Sequence, residues 1–145
     1  MAPFRFLEEV ALADAAFEAT GDTLSDLFEA AAQAVIETLV NPVTITPTCR
    51  KTIERRAPDL PSLLFDWLSD IVYLKDAEGL LFKDATVAVQ PDQSDGSWVL
   101  RATLAGEPID PTRHELRADV KAVTKHLFEV RQDGRCWVAR VVLDI

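Results

Sequence analysis

A chain of 145 residues with a formal net charge of −9 is poorly suited to nonspecific nucleic-acid binding, whose affinity comes from Lys and Arg neutralising phosphates. Its composition, 48% hydrophobic and 27% charged, is ordinary for a globular protein, and residues 1–145 read as a single domain large enough to bury a core without staples. No stretch approaches membrane-spanning length, and the N-terminus shows no leader pattern. Only two cysteines, Cys49 and Cys136, are present, which argues against a disulfide framework or a zinc ribbon. A reducing cytoplasm is therefore expected, with no membrane partner.

Phe4–Val10 and then Ala15–Ala19 read as strands, followed by a turn at Thr20-Gly21-Asp22. Thr23, with Asp26 three residues on, opens a helix that carries Leu24, Leu27, Phe28, Ala31, Val35 and Leu39 at helical spacing. Asn41-Pro42 stops it. Cys49–Arg56 reads as a strand. A second helix opens at Asp59, with Pro61 in its first turn, runs through Leu60, Leu63, Leu64, Trp67, Leu68, Ile71 and Val72, and ends at Gly79. Phe82–Gln90 and Ser97–Ala105 read as strands joined by the turn-rich Pro91-Asp92-Gln93-Ser94-Asp95-Gly96. A last hairpin pairs 119–131 with Trp137–Asp144 across Asp133-Gly134. The order predicts an α+β protein, two helices packed on a mainly antiparallel sheet.

The stretch Pro108–His126 holds both histidines, His114 and His126, and passes from a proline-bounded loop into an alternating strand. Period two places Val120, Ala122, Thr124, His126, Phe128 and Val130 inward, with Lys121, Val123, Lys125 and Leu127 outward. A polar loop feeding a strand with an outer face of lysines is a natural place for function. There is no phosphate-binding glycine loop, nucleophile elbow, paired-histidine metal motif or Cys/His cluster, which weighs against an enzyme.

Six segments, taken in order, carry a resemblance. They are Leu63-Leu64-Phe65-Asp66-Trp67-Leu68, Glu78-Gly79-Leu80-Leu81-Phe82, Gly106-Glu107-Pro108, Asp110-Pro111-Thr112-Arg113-His114, Val120-Lys121-Ala122-Val123-Thr124 and Val142-Leu143-Asp144-Ile145. Together they resemble the archease family over essentially the whole chain. The resemblance implies an accessory protein, with no enzymatic activity of its own, that assists an RtcB-type tRNA-splicing RNA ligase by promoting its guanylylation and turnover.

It also implies a divalent metal, calcium or magnesium, held by an Asp near the N-terminus, by the penultimate Asp144 and by Ile145. The family pattern Phe/Tyr-Leu-Glu-His-Thr-Ala-Asp is here Phe6-Leu7-Glu8-Glu9-Val10-Ala11-Leu12-Ala13-Asp14. The His and Thr are absent and the segment is two residues longer. A gap before Ala13 brings Asp14 onto the ligand position; without one, Leu12 falls there, with Glu8 and Glu9 the nearby acids. Hard cations take oxygen ligands, and carboxylates brought together repel unless a cation neutralises them. Lys121 matches an important lysine of the family and His114 its loop histidine. With Glu107 they are the expected partner-contact residues. The alternatives are a stand-alone metal-dependent enzyme using Glu107, His114 and Lys121 as acid–base groups, or a purely structural interaction domain.

Overall fold

Two short polar side chains fix where the helices begin. In the computed structural model, which describes residues 3–7 and 14–145, the Thr23 hydroxyl accepts a hydrogen bond from the Asp26 N–H at 3.1 Å, and α1 (Leu24–Leu39) follows. The Asp59 carboxylate accepts from the Ser62 N–H at 2.8 Å to open α2 (Leu60–Glu78). Gly79 ends α2 with φ 63°, a left-handed conformation that is inexpensive without a Cβ.

Among the described residues, seven strands accompany them: β1 (Phe4–Leu7), β2 (Asp14–Gly21), β3 (Cys49–Ala57), β4 (Leu80–Pro91), β5 (Trp98–Pro108), β6 (Ala122–Asp133) and β7 (Cys136–Asp144). The end of the first expected strand, Glu8–Val10, lies outside the described residues. Every pairing among the described residues is antiparallel, and the expected α+β class is what forms. The strands divide into two sheets, ordered β1-β2-β7-β6 and β3-β5-β4.

α1 is buried nearly all round, because Ala30, Ala31, Ala32 and Ala34 let neighbouring elements approach closely. Three of its side chains, one turn apart, meet the edge strand β4: Ser25 Oγ accepts from Val89 N–H, Glu29 Oε2 accepts from Val87 N–H, and Gln33 Nε2 donates to Lys83 O. They satisfy an edge that would otherwise offer itself to other strands. α2 packs alongside, with the fully buried Trp67 donating from Nε1 to Phe28 O at 3.1 Å. One core cluster draws on both helices and both sheets.

The last hairpin corrects the period-two reading. β6 begins at Ala122, not at 119. Between the pairs Thr124–Val142 and Glu129–Arg140, it spends three more residues than β7. Such an insertion reverses which side chains face inward. Val123 is thus buried and Ala122 exposed, opposite to simple alternation, while Phe128 and Val130 still pack on the core. His126, expected inward, is exposed.

Candidate functional site

The register of the four-stranded sheet brings the two ends of the chain together. Asp14 on β2 is the direct partner of Asp144 on β7, and Ala122 on β6 is Asp144's partner on the other side. Directly opposed residues share a face, so Asp14, Asp144 and Ala122 form one row. The adjoining row, Ala15, Leu143 and Val123, packs on the core. Both aspartates are half-buried, and neither carboxylate meets a cationic side chain among the described residues. No third acidic, His or Cys side chain joins them among those residues. Two adjacent, unneutralised carboxylates beside the small Ala122 fit a hard cation that would draw its remaining ligands from main-chain oxygens and water. Glu8 and Glu9 lie outside the described residues.

Lys121 reaches this place through a strap, residues 109–121, that is tied down along its length. Its first anchor is buried: Glu107 Oε1 accepts from Arg113 Nη1 at 2.6 Å, from His114 Nε2 and from the Thr46 N–H at 3.2 Å. The Asp110 N–H donates to His114 Nδ1 at 3.0 Å, which fixes the tautomer with its proton on Nε2. Further along, the Arg117 and Ala118 N–H groups donate to Leu39 O and Thr38 O, satisfying carbonyls that the end of α1 leaves open. Lys75 of α2 then pins the strap with its buried ammonium, donating to Asp119 Oδ1 and, at 2.8 Å, to Val120 O. Burial works against that charge, but hydrogen bonds to Asp119 and Asp76 outweigh it and raise the Lys75 pKa. The next N–H, that of Lys121, donates to Asp144 O at 2.7 Å.

Glu107 and His114 are therefore not placed as expected. Their exposures are 4% and 5%, and each is occupied with the other, so the geometry puts them in the strap's anchor and leaves Lys121 as the exposed member of the three. Proximity in sequence could not separate an exposed loop histidine from one folded inward onto Glu107. Lys75 escaped the sequence reading altogether. The available signal was a lysine one turn beyond Ile71, on the buried side of α2, where a cation needs acceptors.

Hydrogen bonds from Arg113 and His114 hold the Glu107 carboxyl at a pKa of about 2. A carboxyl whose pKa is lower in the folded state contributes stability above its unfolded value, and that contribution is lost as pH falls through the folded value. Glu107→Gln should therefore flatten the fall in stability between about pH 4.5 and pH 2. Urea melts of both proteins across that window check this. Parallel curves would show that the anchor does not titrate with Glu107.

The geometry defines a class first: a small α+β protein presenting a carboxylate pair and a lysine at one sheet end. The model of the archease protein family (MTH1598/TM1083) matches residues 4–145. Protein archease of Pyrococcus furiosus is 41% identical over 135 residues, covering 92% of this chain and 93% of that protein. The archease of Methanothermobacter thermautotrophicus is 35% identical over the full length of both. The solution structure of Methanobacterium thermoautotrophicum protein 1598 superposes with a TM-score of 0.83 at 33% identity over the whole of both chains. A Thermotoga maritima crystal structure, described as an archease and possible chaperone, shares the fold with a TM-score of 0.58 at 20% identity over 93% of each. The chain belongs to the archease family. Among the described residues, no helix is long and apolar enough to cross a membrane.

Proposed function

We propose that this chain is a cytoplasmic accessory protein of an RtcB-type RNA ligase, promoting the ligase's guanylylation and multiple turnover without being an enzyme itself. Asp14, Asp144 and a main-chain oxygen of Ile145 hold a divalent cation, calcium or magnesium, and Lys121 stands beside it as the partner-facing charge. The observation that carries this reading is the direct pairing of Asp14 with Asp144, joined to Lys121 by the hydrogen bond from its N–H to Asp144 O. When bound, the cation neutralises the two carboxylates and offers open coordination positions to oxygen ligands. Lys121 supplies a flexible ammonium for a phosphate or carboxylate of the ligase complex. Glu107 and His114 act through the strap, holding its start while Lys75 holds its end. Their burial, each bonded to the other, favours this anchoring role over the acid–base roles of the stand-alone enzyme reading.

The test is multiple-turnover ligation by a purified RtcB-type ligase with GTP. Adding this protein should carry product beyond one equivalent of ligase, and Asp144→Asn or Lys121→Ala should remove most of that stimulation. Absence of any stimulation by the wild type across calcium, magnesium and manganese would overturn the reading.

A further inference from the structure

We infer that the groove between α2 and β6 docks a segment of the partner protein that carries carboxylates beside an apolar side chain. Two adjoining hollows share Phe65 as a wall. One, of about 380 Å³, is bordered by Tyr73, Lys121 and Ala122; the other, of about 420 Å³, by Pro61, Lys125 and Phe128. Phe65 and Phe128 meet edge to face at 5.7 Å, and Lys125 Nζ lies 5.1 Å above the Phe65 ring. The groove is therefore an aromatic floor with a cation already seated on it.

The surroundings point to a protein occupant. Tyr73 is 63% exposed at the rim. Leu127, one residue before Phe128, is 50% exposed and holds φ 54°, the one non-glycine residue with positive φ among those described. A leucine kept exposed in a strained conformation on an edge strand fits a contact residue better than a packing one. Aromatic side chains concentrated on a surface are typical of protein interfaces.

Charge selects the chemistry. The sequence holds 24 acidic residues against 15 Lys and Arg, and Lys51, Arg55, Arg56, Lys75 and Arg113 are all ion-paired. Arg50, Lys83, Arg135 and Arg140 share with Lys121 and Lys125 the lack of a carboxylate partner among the described residues, but of these six it is Lys121 and Lys125 that border this groove. Asp66 and Asp76 on the same walls oppose a nucleic-acid backbone, which brings a negative charge with every nucleotide. A peptide with one or two carboxylates flanking an apolar anchor meets both lysines and the aromatic floor. Because the Lys121 N–H is bonded to Asp144, the groove starts where the carboxylate pair ends, and one partner can cover both. Taking the ligase as that partner rests on the function proposed above.

The experiment titrates fluorescently labelled ligase with the full chain as wild type, Lys125→Glu, Lys125→Gln, Tyr73→Ala and Asp144→Asn. Thermal melts with and without calcium, and a parallel titration of labelled single-stranded RNA, accompany it. Lys125→Glu and Tyr73→Ala should each weaken ligase binding by about tenfold or more, and Lys125→Gln by less, with the calcium response unchanged and the melting temperature within about 4 °C of wild type, the size of the lost Lys125–Phe65 contact. Equal ligase affinity for wild type and both groove variants would overturn the groove while leaving the ligase partnership intact. RNA binding abolished by Lys125→Glu, with ligase affinity unchanged, would also overturn it and give the groove to nucleic acid. Failure of the wild type to bind ligase would remove the parent proposal, and this assignment with it.

Discussion

Asp144→Asn is expected to melt no lower than wild type in chelator, and to lose the whole of the gain that wild type shows in calcium. Asp14 and Asp144 are opposed across the β2–β7 pair, where Cβ atoms stand about 4.5–5.5 Å apart and like charges destabilise the pairing. Asparagine keeps the volume and, by neutralising one partner, removes that pairwise repulsion. In wild type, a cation that binds the folded chain alone adds about 2.7 kcal/mol at a hundred times its dissociation constant. At this chain length that raises Tm by about 5–10 °C. Asp14→Asn should behave in the same way. Asp22→Asn, an exposed change outside the pair, should keep the gain. Thermal melts of the four proteins in chelator and in calcium decide the matter, and a full calcium response in Asp144→Asn would move the cation elsewhere in the molecule.

Trp67→Ala should cost about 3–5 kcal/mol, the usual range for removing a fully buried large aromatic side chain. Trp67 has 0% exposure at the centre of the cluster shared by both helices and both sheets, and its indole N–H is its hydrogen bond to Phe28 O of α1. The substitution removes the ring and leaves a cavity between α1 and α2. Trp67→Phe keeps most of the apolar area and loses the indole donor, so it should cost less than half as much. Urea denaturation at neutral pH measures both. A loss under about 1 kcal/mol for Trp67→Ala would mean that the two helices close over the gap, contrary to the packing described.

Helix ends were legible because they depend on single residues with local jobs. Thr23 and Asp59 each accept a hydrogen bond from the N–H three residues on, and Gly79 adopts the conformation that other residues avoid. The Asp133-Gly134 hairpin turn was legible for the same reason, with Gly134 at φ 62°. The division of seven strands between two sheets was not legible, because no local pattern says which distant strand completes an edge. The face of β6 was misread because alternation assumes an uninterrupted strand, and the irregularity between Thr124 and Glu129 carries no glycine or proline to announce it. In the site, Asp14 stands opposite Asp144, the two acids that the family resemblance names together. The sequence could not show that Glu107 folds over His114, or that Lys75 reaches Asp119 from 44 residues away. Those contacts depend on where the strap crosses the ends of α1 and α2.

Among other acidic places, Asp92 and Asp95 form a turn that is already answered by Arg56, whose Nη1 lies 2.6 Å and 3.5 Å from their carboxylates. The Asp14–Asp144 pair has no such side chain among the described residues, which makes it the sharper place to look for a cation. Crystals grown in calcium provide the most direct measurement. The strongest difference density is expected within about 2.3–2.6 Å of oxygens from both Asp14 and Asp144. Calcium bound only at the Asp92–Asp95 turn, with the Asp14 and Asp144 carboxylates turned apart into solvent, would contradict this expectation.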